Sequence, residues 1–155
     1  MEKCIFCKIV AKEAQAFMVN EDDKHIAFLD VYPLVEGQTV VTTKKHHSGY
    51  GFDMPEGEFK ELMAFAQRTA KKIDSGLGAE RCMQVLQGYA IDHVHAKLFP
   101  VMKVNERVVS DENYAKLIPV LREGWYNGVI ISMSGKERES DERLRKLLNR
   151  INGWE

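Results

Sequence analysis

Long apolar runs are missing from this chain, and none approaches the roughly 18 residues that a membrane-spanning helix needs. The opening segment MEKCIFCKIVAKE lacks the apolar stretch of a secretory signal, so a cytoplasmic location is expected. An excess of one charge is missing too. Lys and Arg number 22 against 23 Asp and Glu, a formal net charge of -1. So even a balance removes the electrostatic case for non-specific binding to nucleic acid or to an anionic membrane. Cysteine is scarce, and three of them without an export signal do not make a disulfide framework. They are expected instead as thiols or metal ligands in a reducing compartment. With only 4 Pro and 11 Gly in 155 residues, no Pro/Gly/Ser-rich linker divides the chain, and neither a repeat nor a low-complexity stretch stands out. What is present suits one globular domain: 45% apolar residues in a chain long enough to bury about 70% of its unfolded surface.

Periodicity supplies the elements. Residues 25–30 (HIAFLD) read as a short strand ending at the turn-prone Asp30-Val31-Tyr32-Pro33, and residues 39–43 (TVVTT) as a second, β-branched strand. From Pro55 to about Ser75 the period changes. Phe59, Leu62, Met63, Phe65, Ala66, Thr69, Ala70 and Ile73 fall on one helical face, and Gly76 and Gly78 are expected to stop the helix. Residues 83–86 and 94–99 read as further strands joined by the turn 87–90, short enough for antiparallel neighbours. Beyond them, residues 113–122 are helix-like despite Pro119 and residues 129–132 strand-like. Ser140 is placed to cap a last helix carrying Leu144, Leu147, Leu148 and Ile151. The expected class is α+β, an antiparallel sheet with helices packed on it.

Two segments carry chemistry. In Asp92-His93-Val94-His95-Ala96-Lys97-Leu98-Phe99-Pro100, strand alternation puts His93, His95 and Lys97 on one face and Val94, Ala96 and Leu98 on the other. Two imidazoles and an ammonium in one row repel when charged and are costly to bury, so a core has no use for them. The bland alternative is an exposed polar face. The second segment, Cys4-Ile5-Phe6-Cys7, is a C-x-x-C pair. A redox role wants a strand before it, whereas zinc wants two more ligands, for which His46, His47 and one strand histidine are candidates. Such a site would pin the amino terminus to the sheet. His25 is expected at the surface, Cys82 as a core thiol, and Trp125 and Trp154 in packing or an interface.

Together, CIFCKIV, HIAFLDVYPLVEGQTVVTTKKHH and DHVHAKLFP, in that order over roughly residues 3–101, resemble the histidine triad (HIT) superfamily of nucleotide hydrolases and transferases. The resemblance implies a HIT-like α+β fold: an antiparallel sheet of about five strands, one long helix, and a C-terminal helical and strand extension. Residues 1–104 would form the nucleotide-binding core, with 105–155 packed on the same domain. It implies a homodimer, and cleavage at the α-phosphate of a nucleotide, such as a dinucleoside polyphosphate, through a nucleotidyl-histidine intermediate. His95 matches the nucleophile, with His93 and Lys97 beside it in the catalytic row. Asp30 matches the acid that holds the ribose hydroxyls; Ile5, Phe6, Phe28 and Val31 match the base pocket; Gln87 and Gly88 fall in the phosphate loop. Cys4, Cys7, His46 and His93 match the zinc ligands of zinc-containing members.

Physical chemistry supports these roles. A neutral imidazole is a good nucleophile near pH 7 once an acceptor holds its other nitrogen, and displacement at phosphorus needs positive charge near the phosphate oxygens. Lys97 departs from the pattern, which has a third histidine or a glutamine there. Lysine supplies charge but is a poor proton donor at neutral pH, so leaving groups that depart unprotonated should survive and phosphoramidates should suffer. The phosphate loop is also short, only QGYAID, and Leu86 stands where an Asn is common. Two further readings remain open: a nucleotide-binding module without turnover, and a zinc-tethered interaction protein without nucleotide.

Overall fold

Strands in the centre of the chain are buried at every position and need two covered faces, and the computed structural model, which describes residues 4–87, 91–102 and 137–154, shows what covers each. Strands β1 (Met18–Glu21), β2 (His25–Leu29), β3 (Thr39–Thr43), β4 (Arg81–Gln87) and β5 (His95–Val101) form one antiparallel sheet in the order β1-β2-β3-β5-β4. Directly opposed residues share a face. One face therefore carries Ala27, Val41 and Ala96 in register, and the other carries Phe28, Val40, Lys97 and Val85, with Thr42 and His95 in the next row.

The first face packs against helix α2 (Glu56–Leu77), whose Leu62, Phe65, Ala66, Ile73 and Leu77 join Leu29, Val94 and Leu98 in the main core. Pro55 precedes the helix, Glu56 and Glu58 occupy its first turn, and Gly78 ends it at φ 67° in the left-handed region. Gly76 does not stop the helix but lies inside it. A Cβ there would sit 2.4 Å from the Ile151 Cα of helix α3 (Asp141–Asn152), so the glycine is needed for two helices to touch. Helix α3 starts as expected. The Ser140 hydroxyl accepts the Arg143 N–H at 3.3 Å, and Leu144, Leu147 and Ile151 close the main core.

The second face is covered at one end by helix α1 (Ile5–Val10), whose Phe6 joins Ile26, Phe28 and Val40 in a separate apolar cluster. Neither α1 nor β1 is expected from the sequence. Phe17 and Val19 do alternate into the main core, but a four-residue strand is too short to stand out beside the C-x-x-C pair. Strands β4 and β5 run a residue or two beyond their expected bounds, and β5 begins at His95. His25 is not at the surface: it is buried, stacks on Phe65 at 5.2 Å and donates from Nδ1 to Asp22 at 2.9 Å. Its place opposite Thr43 on the α2 side explains this. Cys82 is half-buried beside the main core, and Trp154 is 72% exposed. The expectations for the turn at 88–90, the helix at 113–122, Trp125 and the strand at 129–132 lie outside the described residues. Among the described residues no helix is long and apolar enough to cross a membrane.

Candidate functional site

The polar row that a core has no use for is buried all the same: His93, His95 and Lys97 are 0%, 1% and 7% exposed. Burial is tolerated because each has partners. His93, just before β5, points its Nε2 at the Thr43 carbonyl at 2.9 Å, with the Thr43 hydroxyl 3.3 Å away. His95 places Nδ1 2.7 Å from the His93 carbonyl. A carbonyl only accepts, so the proton is on Nδ1 and the lone pair is on Nε2. The Thr42 hydroxyl donates to the intervening Val94 carbonyl at 2.6 Å and fixes the peptide between the two histidines. Burial lowers the His95 pKa, the Lys97 charge lowers it further, and the carbonyl bond and Asp30 oppose. A neutral imidazole at pH 7 is the result.

Lys97 lies one strand repeat away, and its Nζ is 3.0 Å from Asp30 Oδ2. That oxygen also accepts from Gln38 Nε2 at 2.7 Å, while Asp30 Oδ1 accepts the Tyr32 N–H at 2.9 Å. Gln38, fully buried, uses its own oxygen to accept the Leu34 N–H at 2.8 Å. Thus Gln38 locks the end of β2, the turn after it and the start of β3 around the carboxylate. Sequence reasoning missed Gln38, as it missed the roles of Thr42 and Thr43. Their signals were β-strand composition alone.

On the other side of His95 the donors change. Cys4 sits at the start of α1 and Cys7 one turn on, so the i, i+3 spacing presents both thiols together. His93 Nδ1 is 3.4 Å from Cys4 Sγ and 3.7 Å from Cys7 Sγ, and His46 Nδ1 is 3.4 Å from Cys7 Sγ. All four ligand atoms lie within 4.8 Å of one another. A tetrahedral zinc with bonds near 2.3 Å to sulfur and 2.0 Å to nitrogen has S···N edges of about 3.5 Å, so the cluster has the size and donor chemistry for one. Burial holds His93 down to about 4, with its bond to the Thr43 carbonyl opposing. It is therefore the neutral ligand a metal requires. His47 turns away, its Nε2 2.6 Å from Glu58 Oε2 without hydrogen-bond alignment, and drops out as a candidate ligand.

Phe6 connects the two halves, its ring 5.1 Å from His95, 5.8 Å from His93 and 5.6 Å from Phe28. Phe6, Phe28, His95, Lys97 and Asp30 are thus gathered. Ile5 is exposed on α1, whereas Val31 packs against the main core on the α2 side. Gln87 is opposite His95 in the β4–β5 register, and Gly88 lies outside the described residues. Concavity alone points elsewhere. A cleft of about 310 Å³ lies between β2, β3 and the start of α2, but four of its charges are paired with one another, Lys24 with Glu61 and Lys45 with Glu58. Chemistry, not volume, marks the site.

Among the described residues, a five-stranded antiparallel sheet whose strand β5 carries a buried, tautomer-fixed histidine beside a Cys/His cluster defines an α+β protein. The family model described as HIT domain matches residues 11–104, and the chain belongs to the HIT domain family. An uncharacterized HIT-like protein of Methanocaldococcus jannaschii is 32% identical over 111 residues, 68% of this chain and 84% of that one. The adenosine 5'-monophosphoramidase HNT1 of Saccharomyces cerevisiae is 34% identical over 105 residues, 63% of this chain and 61% of that one. Among solved structures, a HIT-like protein involved in cell-cycle regulation from Bartonella henselae superposes with TM-score 0.72 at 20% identity, covering 99% of this chain and 96% of that one. A Zn-bound histidine triad family protein from Mycobacterium smegmatis gives TM-score 0.66 at 23% identity, with the same 99% and 96% coverage.

Proposed function

We propose that this chain is a HIT-type nucleotidyl hydrolase or transferase with His95 as its nucleophile. The observation that carries the reading is the bond from His95 Nδ1 to the His93 carbonyl, which leaves a neutral Nε2 beside a buried cation. In the first step Nε2 attacks the α-phosphorus, a P–N bond forms, and the bond from phosphorus to the leaving group breaks. In the second, water or another acceptor hydroxyl attacks phosphorus and loses its proton to solvent, the P–N bond breaks, and neutral His95 returns. Lys97 balances phosphate oxygens and gives no proton, so a dinucleoside polyphosphate, whose leaving group departs as an anion, is the favoured substrate over a phosphoramidate. The base lies against Phe6 and Phe28. A sequence relative in Saccharomyces cerevisiae is a phosphoramidase by name, so the two substrates are to be compared side by side on this chain.

Cys4, Cys7, His46 and His93 would hold zinc, with all four positions taken by protein, which is the arrangement of a structural site. The metal would tie α1 to the sheet, and a reducing cytoplasm would keep the ligating thiols available. As in the family resemblance, the working form is a homodimer; β4, at the edge of the sheet among the described strands and with Met83 exposed, offers it a strand to pair.

The test incubates the protein with diadenosine tetraphosphate, quenches without acid and records intact mass and AMP release, beside His95→Ala. AMP release, or a one-nucleotide adduct, that disappears in the variant is the expected result. Nucleotide affinity without adduct or release, and unchanged in His95→Ala, would instead mark a binding module.

A further inference from the structure

Each stretch of chain that supplies a ligand to the Cys/His cluster also supplies a contact to His95 or to the peptide before it. Cys4 and Cys7 flank Phe6, whose ring stands edge-on to the His95 imidazole at 5.1 Å and 77°. His46 is followed by His47, whose carbonyl accepts the Val94 N–H at 3.2 Å. His93 belongs to both sites through different atoms. Its ring Nδ1 lies 3.4 Å from Cys4 Sγ and 3.7 Å from Cys7 Sγ, while its main-chain carbonyl lies 2.7 Å from His95 Nδ1. The His93 ring is also in the tautomer that binding through Nδ1 needs. Its Nε2 faces the Thr43 carbonyl at 2.9 Å, and a carbonyl only accepts, so the proton is on Nε2 and the lone pair on Nδ1.

Resting on the nucleophile and zinc readings above, we infer that closure of Cys4, Cys7, His46 and His93 on a metal fixes the tautomer of His95, with His93 and Phe6 as the positioning residues between the two sites. Ligation through Nδ1 sets the plane of the His93 ring and, through that residue's own backbone, the direction of its carbonyl. Opening the cluster frees the His93 ring to turn, lets α1 carry Phe6 off the imidazole, and loosens the His47 carbonyl that steadies Val94. His95 is then free to move its proton to Nε2, and the lone pair that has to meet phosphorus is lost. The cluster is thus more than a tether for α1. It makes the nucleophile conditional on bound metal, and by linkage a ligand that meets Nε2 holds the cluster closed.

The experiment follows histidine ring nitrogens by NMR in the full chain carrying isotope-labelled histidine, at one neutral pH, loaded with zinc and again after chelation. His95→Ala assigns the His95 signal. No nucleotide is present, so failure here and failure of the AMP-release test are separate outcomes. Zinc-loaded protein should show His95 only in its Nδ1–H form. Chelation should speed exchange of that ring proton with water by about tenfold or more and bring in the Nε2–H form, and added zinc should reverse both. In zinc-loaded Phe6→Leu, whose four ligands are intact, the ring proton should exchange faster than in wild type by about threefold or more. That variant carries the test if chelation unfolds the chain. A His95 signal unchanged by chelation, while those of His46 and His93 move, overturns the inference and leaves the zinc and nucleotide readings standing. An unchanged rate in loaded Phe6→Leu overturns it as well. Zinc that moves neither the His46 nor the His93 signal removes the metal reading, and the inference with it.

Discussion

Single side chains decide how the metal cluster and the thiols behave. His46 and His47 are adjacent and chemically identical, yet only His46 reaches Cys7, because His47 faces Glu58. Zinc bound per chain, measured after purification with metal present, should fall toward zero in Cys7→Ser and His46→Ala and stay unchanged in His47→Ala. Equal loss in the last would reject the assigned ligand set. Cys82 should be inert. Burial pushes its thiol up to about 12, with Asp74 adding to the shift. Alkylation near pH 8, where only thiolate reacts, should leave Cys82 unmodified in the folded protein and modify it after denaturation, as read by peptide mass.

At the level of elements, two glycines of α2 should respond in opposite ways to the same change. Gly57 has nothing within 4 Å of a built Cβ, whereas Gly76 meets the Ile151 backbone at 2.4 Å. Gly57→Ala should raise stability by up to about 1 kcal/mol through helix propensity. Gly76→Ala should cost about 1–3 kcal/mol by pushing α3 away, as seen in the denaturant midpoint. The turn between β1 and β2 has a pH-dependent clasp. Asp22 Oδ1 accepts from Lys24 N at 3.0 Å, His25 N at 2.8 Å and the His25 ring at 2.9 Å. Partial burial opposes ionisation, but these bonds together hold the carboxyl below its usual 3.8. With a lowered folded pKa, its contribution is present above that value and disappears as pH falls through the folded one. Wild type and Asp22→Asn should therefore differ in melting temperature near neutrality and converge in acid. A difference that persists in acid would assign the clasp's effect to something other than ionisation.

Across the whole molecule, the amino-terminal helix is joined to the sheet by two kinds of contact, the Phe6 cluster and the Cys/His cluster. Only the second has the donors to hold a metal. Chelation should lower the melting temperature and open Lys8, on the exposed side of α1, to trypsin, and added zinc should reverse both. Unchanged melting and unchanged cleavage would show that apolar packing alone holds α1 and that zinc does not tether it.

Much of this was legible in the residues themselves. The 3.6-residue apolar period of α2, the β-branched run of β3, the Ser140 cap, and the alternation of the H-x-H-x-K row need only local geometry, because a period and a cap are properties of neighbouring residues. Cys4 and Cys7 were legible as a pair for the same reason. The partners were not. That Gly76 admits a second helix, that His25 stacks inward, that His46 and not His47 joins the cysteines, and that Lys97 closes on Asp30 across 67 residues all depend on which distant segments the sheet order brings together. Sequence by itself determined which side chains could do chemistry. Only the tertiary structure decided their partners, since a hydrogen bond or an ion pair acts over a few ångströms of space and not over a distance along the chain.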